Sequence, residues 1–300
     1  MKNLLNVFAI ALIAIVTFSS CSDDDNGIVE RIDSTLTLNF DGLEDLGSDY
    51  AYEGWIIANG QAITTGVFRV DANGQLSESS FTVSQEDLDA ATTFVLTIEP
   101  SPDPDPGPSE VHILAGDFQG NNANLTIDHR AAIGSDFTTS TGSYILATPT
   151  DGGSDTDETS GVWWLNPGAG PGAGLDLPAL PAGWIYEGWA VIDGIPVTTG
   201  RFNLVTGSDD FNGFSGTAGG PPFPGEDFLT NAPEGLTFPT DLSNRTVVIS
   251  VEPVPDNSPA PFTLKPLVGA VPANAADHTL YDMANNAVAT NPTGTVNIAK

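Results

Sequence analysis

Four glutamates recur in matching surroundings along this sequence: Glu53 and Glu187 within "YEGW", and Glu99 and Glu252 within "EP". Two facing carboxylates can protonate a leaving group and activate water, which is the chemistry of glycoside cleavage. The same residues also suit a structural task, because a carboxylate in a strand or before a strand-ending proline accepts backbone N–H bonds and pins a loop. Their duplication favours that task, since two copies of a catalytic pair are seldom both kept. The repeated set Tyr52, Glu53, Gly54, Trp55, Glu99 and Pro100, with Tyr186, Glu187, Gly188, Trp189, Glu252 and Pro253, is therefore read as structural, and no catalytic residue is assigned.

Other chemistry-bearing types are sparse. The three histidines, His112, His129 and His278, show no H-x-x-x-H spacing and no nearby cysteine, so they carry no zinc signature. "IDHR" and "ADHT" place His129 and His278 alike, which suggests a shared structural hydrogen bond. "GAGPGAG" lacks the lysine and helix of a phosphate loop, and "GFSG" lacks the setting of a nucleophile elbow. Asp151, Asp155, Asp157 and Glu158 offer clustered oxygens that could hold calcium, but EF-hand spacing is absent, so they are read as a solvated linker and no cofactor is expected, calcium being the one possible exception. Phe211, Phe214, Phe223 and Phe228 crowd one Gly/Pro-rich stretch, either as a binding loop or as a cap on the end of a domain.

The elements that must position these residues come from a duplication. "YEGWIIANGQAITTGVF" (52–68) and "YEGWAVIDGIPVTTGRF" (186–202) agree at nine of seventeen positions. "EPSPDPDPGPSEVHILAG" (99–116) and "EPVPDNSPAPFTLKPLVG" (252–269) agree at eight of eighteen. The offset grows from 134 to 153, so the second copy carries nineteen extra residues between the windows. "STGSYILA" and "PTGTVNIA" close the two copies. The copies run over roughly 34–150 and 162–300, with a turn-rich linker at 151–161.

Each copy reads as short β-branched and aromatic runs separated by turns such as "NG", "DANG" and "DPGP". "QEDLDAA" is read as a helical turn, and 23 prolines and 32 glycines discourage long helices. The expected class is all-β: two tandem antiparallel, immunoglobulin-like β-sandwich domains after a cleaved N-terminal signal. In "WIYEGWAVI" both faces are largely apolar, marking a central strand, with Gly54 and Gly188 expected at a bulge or close backbone approach.

Residues 1–20 combine Lys2, the apolar run "LLNVFAIALIAIV" and small serines, which is a secretory signal too short for a comfortable membrane span. The lone cysteine, Cys21, follows "FSS", which resembles a lipobox, so Cys21 is expected to carry a lipid that holds the chain to the membrane. The acidic tether 21–33 resembles export tails, and the expected location is the outer membrane, exposed at the cell surface. Loss of Lys2 with the signal leaves 39 acids against 7 bases, a charge near −32 that repels nucleic acid and attracts cations. With 40% hydrophobic and only 16% charged residues, the chain is globular and not an acidic disordered one.

Each copy resembles the C-terminal extracytoplasmic domain of anti-sigma-K factors. The pattern is a Trp-led strand, a G-x-P/A turn, a small-residue-plus-Gly step, and a strand ending in E-P before a proline-rich run. Trp55, Gly60, Ala62, Gly66, Phe68, Asp71, Gly74, Thr97, Glu99, Pro100, Pro106 and Pro108 carry it in the first copy. Trp189, Gly194, Pro196, Gly200, Phe202, Glu252, Pro253, Pro259 and Pro261 carry it in the second. The resemblance implies a β-sandwich facing away from the cytoplasm. Sigma binding in that family belongs to a separate cytoplasmic domain, so it is not carried over. The expected function is non-enzymatic binding, sensing or scaffolding of an envelope protein or glycan. The alternative is a carbohydrate-active or metal-dependent envelope enzyme using the repeated glutamates.

Overall fold

The computed structural model describes residues 32–299 apart from 169 and 257, so the signal, Cys21 and most of the acidic tether lie outside the described residues. Period-two patterning builds the first strand: in β1 (Asp33–Asp41) the apolar Leu36, Leu38 and Phe40 are buried and the residues between them are exposed. β2 (Tyr50–Ala58), β3 (Gln61–Phe68), β4 (Ser80–Ser84), β5 (Ala91–Pro100), β6 (His112–Asp117), β7 (Asn122–Leu125) and β8 (Thr141–Leu146) follow in the first copy. The second copy contains β9 (Gly161–Trp163), β10 (Trp184–Ile192), β11 (Ile195–Phe202), β12 (Gly225–Asp227), β13 (Thr246–Pro253), β14 (Leu267–Ala270), β15 (Tyr281–Asp282) and β16 (Thr293–Ile298). The expected helical turn forms at Gln85–Ala90, and every strand pairing is antiparallel.

The inner sheets repeat as the alignment requires. β3-β2-β5-β6 in the first copy matches β11-β10-β13-β14 in the second. Tyr52 pairs Phe68 and Tyr186 pairs Phe202, and both hairpins shift register at the glycine, between Gly54 and Trp55 and between Gly188 and Trp189. The bulge needs glycine for space. A Cβ on Gly188 would lie 2.2 Å from Thr199 Oγ1, and one on Gly54 would lie 2.5 Å from Thr65 Oγ1.

The outer sheets correct the expectation of two self-contained tandem domains. The first runs β4-β1-β16-β7, so the strand completing it comes from the end of the second copy. The second places β8, the closing strand of the first copy, between β9 and β15, with β12 beyond β9. The two closing strands are thus exchanged reciprocally. The crossing segments hold each other: Asn285 Nδ2 donates to the carbonyls of Phe137 and Ser140, and Asn291 Nδ2 donates to that of Asp136. Phe137 is buried edge-on to Tyr186, with ring centroids 6.4 Å apart. A continuous apolar core runs from Leu36 and Tyr52 through Tyr144 and Trp164 to Val251 and Val296. The described residues accordingly form one unit, and the 151–161 segment does not separate two cores.

Candidate functional site

The repeated glutamates, the candidates for catalysis, take part in the same relay on the outer face of each inner sheet. Trp55 Nε1 donates to Thr97 Oγ1 at 2.9 Å, and Thr97 Oγ1 donates to Glu99, whose carboxylate also accepts the N–H of Ser109 at 2.8 Å. In the second copy Trp189 Nε1 donates to Ser250 Oγ at 2.7 Å, Ser250 Oγ donates to Glu252, and Glu252 accepts the N–H of Phe262 at 2.9 Å. Glu53 and Glu187 accept from Thr64 and Thr198 on the neighbouring strand. Tyr52 and Tyr186 each donate to a carbonyl eight residues upstream, of Glu44 and Pro178. The duplicated phrase is therefore a device that ties the proline-rich loop back onto the sheet.

Tying loops with buried carboxyls has an electrostatic cost. Burial pushes Glu187 up to about 7 and Glu252 up to about 8, and raises Glu99. Glu187 and Glu252 each keep Oε2 buried without a hydrogen-bond partner among the described residues.

What only one copy possesses is different. The insertion between β11 and β13 folds into a pocket of about 320 Å³ lined by Trp163, Asp209, Phe211, Asn212, Ser215 and Phe223, among others. Buried acids beneath it hold its walls. Asp227 accepts from Thr150 N at 2.8 Å, from Thr150 Oγ1 and from Trp163 Nε1 at 2.7 Å, which fixes the indole. Thr150 Oγ1 in turn accepts the N–H of Gly216 at 2.7 Å. Glu226 accepts from Ser215 Oγ and from Asp227 N. Asp209 bridges the N–H groups of Phe211 and Gly225, at 2.9 and 2.8 Å. Burial pushes Asp209 up to about 6 and Glu226 up to about 7, and raises Asp227. Asp210, on the pocket wall, engages Arg201, accepting from Nε at 3.0 Å and Nη2 at 2.8 Å. The pocket is a polar concavity with aromatic walls, lined by Asp209 and Asp210.

The phenylalanine expectation divides. Phe211 and Phe223 line the pocket. Phe228 is buried, and Phe214 packs on Phe211, Phe228 and Phe238 at 4.9 to 6.1 Å, the capping role. Sequence reasoning missed Trp163, Asp209, Glu226 and Asp227. The available signal was "GED" inside an apolar stretch, where two consecutive acids entering a strand had to be buried with partners.

The histidines do not share a bond. His129 Nδ1 accepts from Ala131 N and its Nε2 lies 3.4 Å from Asp117, whereas His278 is exposed beside Asp277. Of the four linker acids only Glu158 joins a possible cation set, with Asp277 and His278, their ligand atoms all within 4.8 Å of one another. Asp151 is occupied by Gly153 N and Ser154 Oγ. Two carboxylates and one imidazole suit a transition metal better than calcium. For the chain beginning at Ser22, raising salt from about 10 to about 150 mM should raise the melting temperature by screening its self-repulsion. Millimolar calcium should add nothing beyond monovalent salt of equal ionic strength, and thermal melts in the two salts check this.

Comparison with known proteins bears on the first copy. Residues 27–110 match the family described as anti-sigma-K factor rskA, C-terminal. This region resembles anti-sigma-K factor C-terminal domains, as the motifs implied, and it carries the Trp55–Thr97–Glu99 relay. The match spans less than a third of the chain and stops before β6. No curated protein and no solved structure matches the chain. The second copy lies outside that match and repeats the first copy's inner sheet and relay.

Proposed function

We propose that this chain is a lipid-anchored, non-enzymatic envelope protein that displays a glycan-binding pocket on a pair of rskA-like modules. The observation that carries this reading is the pocket built with the second copy's insertion, a segment nineteen residues longer than the corresponding one in the first copy. Its aromatic walls, fixed carboxylates and glycine-rich backbone suit a polyhydroxylated ring, and its size is at the lower end of ligand sites. The acidic lining and a mature charge near −32 favour neutral over anionic sugars. The non-enzymatic part rests on the repeated glutamates, which hold loops instead of opening into a cleft. Cys21, by the lipobox resemblance, supplies the anchor, and the acidic tether supports display at the outer-membrane surface.

The test is a glycan array probed with the chain beginning at Ser22 and with its Asn212→Trp variant, which fills the pocket from an exposed rim position. The expected result is binding to neutral glycans that falls at least tenfold in the variant while the melting temperature is unchanged. Absence of neutral-glycan binding, or binding indifferent to Asn212→Trp, would refute the proposal.

A further inference from the structure

Strand β16 reaches the first sandwich from the second copy and makes there every contact that a strand from another molecule would make. Six successive pairs join it to β1, from Leu36 with Ile298 to Asp41 with Thr293, and four join it to β7. None of these pairs depends on how β16 is covalently connected. β8 fills the matching place in the other sandwich, with Ile145 opposite Trp163 and Tyr144 opposite Tyr281. One donor pattern, Thr-Gly at 141–142 and 293–294 followed by a hydroxyl residue and a short run ending in alanine, thus completes two acceptor sheets.

The two donors are held unequally. β8 buries Tyr144, Ile145 and Leu146, and the Tyr144 ring packs on Trp164 and Tyr281 at 6.1 and 5.7 Å. β16 buries only Val296 and Ile298 as apolar side chains. The turn that leads into it, Ala287–Thr290, leaves Val288 84% exposed. β16 is therefore held by its sheet pairs more than by buried apolar side chains, so its release exposes less apolar surface than that of β8 would.

We propose that two copies of this chain pair by trading β16, the strand of each filling the gap between β1 and β7 of the other. The traded form keeps the strand contacts of the closed one, so concentration sets the balance between them. A short connection presents β16 to its own sheet at an effective concentration of about 1 mM. Dilute chains therefore stay closed, and crowding toward that range produces pairs.

The chain beginning at Ser22 has no cysteine, which makes the exchange measurable. Thr37 and Asn297 are exposed and directly opposite each other on β1 and β16. A chain carrying both Thr37→Cys and Asn297→Cys is expected to form an internal disulfide when dilute, which verifies the closed register. Chains carrying one substitution each, mixed at about 1 mM and then oxidised, are expected to give a heterodimer whose 37–297 disulfide is identified by mass spectrometry. Its yield should exceed severalfold that from Thr37→Cys mixed with Thr217→Cys, an exposed position in the insertion, and should fall on dilution. A 37–297 yield no higher than this control overturns the proposal, as does failure of the double variant to close internally.

Discussion

The chain beginning at Ser22 is expected to melt roughly 10 °C higher at pH 5 than at pH 8. Burial sets this direction. It raises Glu187 and Glu226 to about 7, Glu252 to about 8 and Asp209 to about 6 in the folded protein, against ordinary values of 4.5 and 3.8. A folded state that binds protons more tightly than the unfolded chain has its full stability below the unfolded values. That stability is then lost as pH rises through the folded ones. The window is therefore about pH 4.5 to 8. Each tenfold gain in a carboxyl's proton affinity on folding is worth about 1.4 kcal/mol. Even a fraction of the combined effect amounts to several kcal/mol, at about 2–4 °C each for a chain of this size. Self-repulsion between the surface acids acts in the same direction, and a substitution separates the two. Glu252→Gln keeps the oxygen that accepts from Phe262 N and Ser250 Oγ, and it removes the titrating proton. It should flatten the pH slope and leave the salt dependence as it was. Melting curves across pH 5 to 8 decide, and a wild-type curve flat over that range would contradict the buried-carboxyl account.

Tyr144→Ala should lower the stability of the whole chain by about 3–5 kcal/mol, the usual cost of emptying a large aromatic site. By sequence Tyr144 belongs to the first copy. Its side chain is nevertheless fully buried in the second sandwich, against Trp164 and Tyr281. In an exchanged fold the loss reaches both halves, and denaturant should still give one transition at a lower midpoint. In a tandem fold it would melt the first copy alone and give two steps. Tyr144→Phe is the contrasting variant. The hydroxyl is buried without a partner among the described residues, so removing it should leave stability unchanged or slightly raised.

Much of the inner framework was legible from residues. The doubled windows located β2, β3, β5 and their counterparts, the apolar residues on both faces of "WIYEGWAVI" marked a central strand, and Gly54 and Gly188 marked the bulges. The structural reading of Glu99 and Glu252 followed from the proline after each, which turns the chain back over the carboxyl. The exchange of closing strands was not legible, for a physical reason. "STGSYILA" and "PTGTVNIA" are homologous, so each patterns equally well against its own sheet or the other's. Contacts that neither segment reveals by itself decide between the two: Asn285 with Phe137 and Ser140, Asn291 with Asp136, and Tyr144 with Trp164 and Tyr281. The pocket was half legible. Clustered phenylalanines pointed to the insertion, but Trp163 and Asp227 are 64 residues apart and meet only through the pairing of β9 with β12.

The central claim is that the two copies are interlocked into one cooperative body, on which the second copy's insertion builds the site. Scanning calorimetry of the chain beginning at Ser22 tests it most directly. Interlocked copies predict a single heat-absorption peak whose calorimetric and van't Hoff enthalpies agree. Two resolved peaks, or a calorimetric enthalpy near twice the van't Hoff value, would show that the copies unfold separately and would contradict the exchange.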